Sequence, residues 1–227
     1  MASRILLCLL VLVLRAQPVP EIHWSFGPGV VGLGGVASIA AGRGQIYVQG
    51  REMRRFLEAS GNPPTGHELA VVGPADLHWF AVLAREDRIG AEELRKAIVD
   101  GTEAANLIRA RQGRETLDVL GYREPPRFDG AKQVLSWSLD TAESGGRGVV
   151  NRFVCFLGRD VVIQAEMVTE RAGAEAAQRE FESWVKGFRF EAGHEAPRRD
   201  WALWAVLGVS AASAAILLWR EWRRRVS

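Results

Sequence analysis

Cysteine is almost absent from this 227-residue chain: there are two, and one of them, Cys8, lies in an apolar stretch at the amino terminus. Cys155 alone makes no intramolecular bridge, so the domain around it has to be held by its core even in an oxidising compartment. Its place inside an apolar run, between Val154 and Phe156, reads as that of a small buried hydrophobe. Histidine is scarce too. His23, His67, His78 and His194 stand apart from one another, whereas a metal site needs three or four converging ligands, two of them usually close in sequence. His67-Glu68 begins like a zinc-protease motif, but Val71 stands where the second histidine belongs. Gly29 to Gly35 is glycine-rich yet lacks the lysine and the serine or threonine of a phosphate loop. The same stretch reads as too rich in glycine to pack firmly. No metal, cofactor or catalytic residue is assigned on these grounds.

Excess positive charge is missing as well, despite a formal net charge of +2. Six of the 29 basic residues (Arg4, Arg15, Arg220, Arg223, Arg224, Arg225) lie at the two ends, and residues 17–200 carry 23 basic against 26 acidic side chains, a net of −3. No basic stripe remains to grip phosphates, so no nucleic-acid partner is expected.

What the chain does have is one long uncharged stretch, Trp201 to Trp219, between Arg198-Arg199-Asp200 and an arginine-rich tail. As a helix it reaches roughly 28 Å, close to the ~30 Å hydrocarbon thickness of a bilayer. Trp201, Trp204, Trp219 and Trp222 fall at its ends, where an amphipathic ring suits the headgroup level. Arg223, Arg224 and Arg225 follow it, which sets the tail in the cytoplasm by the positive-inside rule. Gly208 and Ala212 form a small-x-x-x-small pair suited to a homodimer contact within the span. Residues 1–16 read as a signal peptide, with a basic start and an apolar run, Ile5 to Leu14, too short to span. The expected organisation is therefore a signal peptide (1–16), an exported domain (17–192), a polar stalk (193–200), a membrane-spanning helix (201–219) and a basic tail (220–227). Its partners are the lipid bilayer and an envelope protein, and its address is the bacterial inner membrane, with the domain outside.

Within the domain, short alternating runs and glycines over residues 21–48 suit strands and turns. Met53, Phe56 and Leu57 set a helix over 51–60, and Leu77 to Ala84, apolar on both faces, reads as a central strand. Apolar positions from Leu94 to Ile108 predict a second helix, over 91–111. Leu117 to Tyr122 reads as a strand broken by Pro125-Pro126; the runs 134–140, 149–157 and 161–168 read as an antiparallel meander with one wet face. In the first of these Leu135, Trp137 and Leu139 point in while Ser136 and Ser138 point out. Ala174 to Val185 is a third helix, and residues 187–190 suit a last strand. Together they predict an α+β domain, an antiparallel sheet covered by helices on one side, followed by the membrane helix.

Several strings in one order carry a resemblance: Gly61-Asn62-Pro63-Pro64, Pro74-Ala75-Asp76 with Trp79-Phe80, Gly101-Thr102-Glu103-Ala104-Ala105-Asn106, Gly121-Tyr122-Arg123-Glu124-Pro125-Pro126, Leu135-Ser136-Trp137 and Val149-Val150-Asn151. From about Leu33 to Phe190 they resemble the DUF2167 family. That resemblance implies a membrane-anchored protein of the bacterial envelope and brings no chemistry. Family members carry a longer acidic, tyrosine-containing loop after the Trp-Phe strand; Arg85 to Gly90 is short here, so a role resting on that loop is not carried over. The closing strands, helix and Phe188-Arg189-Phe190 also look like PsbP and Mog1 domains, an analogy of fold only.

A binding cleft is expected where the two paired-proline segments meet Asp76, Trp79 and Asn106. Asp76-Leu77-His78 places a carboxylate and an imidazole on one side of an extended chain, as an acid/base histidine needs; an aspartate opening a strand beside a surface histidine is the plainer reading. Glu103 and Asn106, one helical turn apart, serve either a ligand or the bracing of the Pro63-Pro64 and Pro125-Pro126 segments. Glu124 joins the hydrolase or transferase alternative, and Asn151 is expected to fasten a neighbouring loop. With no catalytic set assembled, a non-enzymatic binding or accessory module is favoured over that enzyme.

Overall fold

The computed structural model describes residues 21–60, 64–86, 116–143 and 148–196, together with 106–107, 110–111 and 146. Eleven strands and two α-helices lie in these residues: β1 (Ser25–Phe26), β2 (Gly29–Leu33), β3 (Ala37–Ala41), β4 (Gln45–Val48), α1 (Gly50–Ala59), β5 (Glu68–Pro74), β6 (Trp79–Glu86), β7 (Leu117–Asp129), β8 (Val134–Glu143), β9 (Gly148–Leu157), β10 (Val162–Glu170), α2 (Ala174–Trp184) and β11 (Arg189–Phe190). Eight strands form one antiparallel sheet in the order β1-β4-β5-β6-β10-β9-β8-β7, and β11-β3-β2 form a second.

Both faces of the large sheet are covered because its central strands are apolar on both. Along β5, Val72 enters the core with α2 while its neighbour Val71 packs with Met53 and Leu57 of α1. The two helices thus lie on opposite faces, as period-two alternation dictates. The small sheet shares the α2 face: Val31, Leu33, Ala37 and Ile39 join Ala81, Leu83, Phe181 and Trp184 in one core. The Trp184 indole fastens the two layers by donating to the Ala40 carbonyl at 2.8 Å. Phe181 is fully buried there against Trp79, ring centroids 6.0 Å apart.

This corrects the expected fold class. The described structure is mainly antiparallel β, two sheets with one helix on each face of the larger, and not an α+β sheet with helices on one side. No helix among the described residues is long and apolar enough to cross a membrane. The expected signal peptide (1–16), stalk end and anchor (Trp201, Trp204, Gly208, Ala212, Trp219, Arg223, Arg224, Arg225) lie outside the described residues, as does most of the helix expected over 91–111, of which 106–107 and 110–111 are helical.

Three local expectations are also corrected. Gly29–Leu33 packs firmly after all, with Val31 and Leu33 fully buried, because these two alternate residues supply the buried face once β3 pairs alongside, while Val30 points out. Ser138 is fully buried, so the face of β8 expected to be wet is covered there, while Ser136 on the same face lines an open groove. β7 does not stop at the prolines but runs on to Asp129. It is the edge strand, where missing N–H groups are tolerated. Pro125 and Pro126 fall at the register shift between the pairs Glu124–Ser138 and Arg127–Ser136 and bulge out of the ladder. The meander β8-β9-β10 is as expected, and β6 is central as a run apolar on both faces predicts.

Candidate functional site

The chemistry-bearing residues collect along α2. This helix lies on its apolar stripe, Ala174, Ala177, Phe181 and Trp184. At about 100° per residue, Gln178 and Glu182 fall on one flank and Glu180 on the other. Each flank is tied to the sheet by a different charged group.

On the Glu180 flank, the His78 ring sits between two carboxylates: Nδ1 is 2.7 Å from Asp76 Oδ1 and Nε2 is 3.2 Å from Glu180 Oε2. The Trp79 indole N–H donates to that same Glu180 oxygen at 3.0 Å. Asp76 and His78 converge through a turn and not through the extended chain expected. Leu77 takes φ of 52° and its N–H bonds the Pro74 carbonyl at 3.0 Å, folding the chain back on itself. Left-handed backbone is uncommon in leucine, and the bonds on either side hold it there. The Asp76 hydrogen bond, outweighing partial burial, raises the His78 pKa, with Glu180 adding to the effect. The same bond lowers that of Asp76. With a carboxylate oxygen within hydrogen-bond distance of each nitrogen, the arrangement favours the doubly protonated ring. Neither nitrogen is left free for a substrate.

On the other flank, Arg152 of β9 is buried among polar partners. Its guanidinium donates to Glu124 of β7 at 2.5 Å and to Glu182 of α2 at 3.2 Å. The Gln178 amide donates to both carboxylates, at 2.7 and 3.0 Å. The Arg152 Nε and the neighbouring Ser138 Oγ are buried with no partner among the described residues. Beyond this quartet opens a groove of about 1450 Å³ between β7, β8 and β9 on one side and the end of α2 with β11 on the other. Glu124, Pro125, Pro126, Arg152 and Glu182 line it, and Phe156, Phe188 and Phe190 give it an apolar wall. Phe188 stacks on Phe156 and meets Phe190 edge-on at 4.9 Å.

Asn151 points to the opposite face from Arg152, as adjacent strand residues must. Its amide donates to Glu166 at 2.9 Å, and its carbonyl oxygen lies 3.1 Å from Thr141 Oγ1. The fastening expected of it is made, but to strands β8 and β10. Burial raises the Glu166 pKa against the lowering by that amide. Burial likewise pushes the Cys155 thiol up, helped by the charges of Glu86 and Glu166.

The expected cleft is thus divided. Asp76, His78 and Trp79 come together on one flank of α2; Glu124 and the Pro125-Pro126 bulge lie on the other; Asn151 is on the far face. Pro64 and the half-buried Asn106 are described, while Asn62, Pro63 and Glu103 lie outside the described residues. Sequence reading missed Glu180, Gln178, Glu182 and Arg152. The signal for Arg152 was available: an arginine inside the apolar run 149–157 needs buried partners. The i, i+4 pair Gln178 and Glu182 marks one helix flank. Nothing local joins Trp79 to Glu180, 101 positions away.

Fold and site together define a β domain braced across one helix and carrying an open aromatic groove. The chain belongs to the DUF2167 family, described as a protein of unknown function, whose sequence profile matches residues 25–202. Comparison with curated proteins gives no match. Among solved structures it is similar to cyanobacterial PsbP (CyanoP) from Synechocystis sp. PCC 6803, at 10% identity and a TM-score of 0.44, covering 78% of this chain and 96% of that one.

Proposed function

We propose that this protein is a non-enzymatic binding or accessory module of the bacterial envelope, its β domain outside the cytoplasmic membrane and its carboxyl terminus inside. The observation that carries the reading is the contrast between the two flanks of α2. The titratable groups are spent on bracing, with both His78 nitrogens engaged, whereas the groove beside them is open and aromatic. Side chains that accept and release protons need a free site, while recognition surfaces combine apolar walls with a few placed polar groups. The hydrolase alternative requires Asp76, His78 and Glu124 around one concavity, and they are divided between the flanks. Location rests on the sequence, through the charge asymmetry about residues 201–219 and the amino-terminal apolar run. Chemical crosslinking in cells followed by purification of the full chain tests the proposal. One or a few defined protein adducts are expected; recovery of the uncrosslinked monomer alone contradicts it.

A further inference from the structure

We infer that the groove takes an extended acidic segment of a partner protein, one that alternates carboxylates with large apolar side chains. The inference deepens the binding-module reading and rests on it. Size is the first observation. At about 1450 Å³ the groove exceeds the ~300–1,000 Å³ of small-molecule pockets and suits a length of polymer. Charge is the second. Five cations line it (Arg127, Lys132, Arg152, Lys186, Arg189) against three carboxylates, in a domain whose own net charge is −3.

Moreover, the carboxylates are already used: Glu124 and Glu182 on Arg152 and Gln178, and Asp129 on Lys132 at 2.9 Å. Arg127 and Lys186 are exposed and make no ion pair with a described residue. The groove's uncompensated charge is therefore positive. Third, Arg152, which lines the groove, is more than nine-tenths buried and keeps one N–H donor, Nε, without a described partner. A buried donor of this kind is ordinarily satisfied, and a ligand oxygen there fits it. Phe156, Phe188 and Phe190 supply the apolar anchoring that charge alone lacks.

The test measures fluorescence anisotropy of labelled octapeptides against full-length protein in neutral detergent. The probe alternates glutamate and phenylalanine; the controls alternate lysine with phenylalanine and glutamate with serine. Saturable binding of the first alone is expected, weakened about ten-fold or more by Arg127→Glu with Lys186→Glu, two exposed sites whose reversal spares the core. Added salt is expected to weaken it too. Equal binding of the lysine peptide, no binding of any peptide, or indifference to the double reversal overturns the inference. So does binding confined to phosphatidylglycerol vesicles, which assigns the groove to lipid instead. If the double-reversed protein still gives the wild-type crosslinked adducts in cells, the module reading stands and the groove assignment falls. If the wild type itself yields no adducts, the module reading falls.

Discussion

At the scale of single residues, three side chains show how environment decides between reactive and structural roles. Cys155 is buried and its thiol is driven further toward the protonated form. It is expected to resist iodoacetamide in the native protein and to react only on unfolding, which mass spectrometry of the alkylated chain reads directly. His78 behaves oppositely, since its carboxylate neighbours favour its charged form. Its folded pKa lies above the ordinary 6.5, so its contribution is complete below that pH and disappears as pH rises through the folded value. His78→Gln is therefore expected to lower the Tm at about pH 5.5 and to make a smaller difference at about pH 9. The ring is 41% exposed, so solvent screening keeps the effect small. A difference that grows with pH contradicts the raised His78 pKa. Gly158 is required for space: a Cβ there meets the His194 carbonyl at 2.7 Å, the Phe190 ring at 2.8 Å and the Val161 carbonyl at 2.9 Å. Gly158→Ala is expected to destabilise the domain by about 1–3 kcal/mol in urea titration, through overpacking at the β9–β10 turn.

Among the elements, α2 ties the sheet's two halves. It packs through Phe181 and Trp184 and is held on both flanks by partners from β6, β7 and β9. Removing both carboxylates that face Arg152 leaves a buried guanidinium held by no carboxylate. Glu124→Leu with Glu182→Leu is accordingly expected to cost about 3–5 kcal/mol in urea titration, far more than the same changes at exposed ion pairs. Phe181→Ala empties a fully buried ring site and is expected to cost a similar ~3–5 kcal/mol. The periodicity that places α1 and α2 is legible in the sequence because it is local: Met53 and Leu57, and Ala177, Phe181 and Trp184, repeat at three and four residues. Alternation and short apolar runs likewise place β6, β8, β9 and β10. Illegible was which face each helix covers, since Val71 and Val72 are equally apolar and only long-range pairing decides what packs on each. β7 was cut short for a related reason. Proline stops a central strand and is harmless at an edge, and edge position is a property of the sheet.

For the whole molecule, two stacked sheets place polar bracing and an aromatic groove side by side on the α2 face. The Asp76 and His78 pairing was readable from their spacing. The division of the expected cleft was not, because Glu180 and Glu182 take opposite flanks of a helix far along the chain. The proposed exported, membrane-held location is built on the ends of the sequence, and the proposed meeting with a partner on the groove.

The most direct measurement places a photocrosslinking amino acid at Arg127, in the groove, or at Arg51, on α1 and 79% exposed on the opposite face, and illuminates intact cells. A binding module working through the groove gives a discrete higher-mass product from position 127 and none from position 51. The same products from both positions, or none from position 127, contradict it.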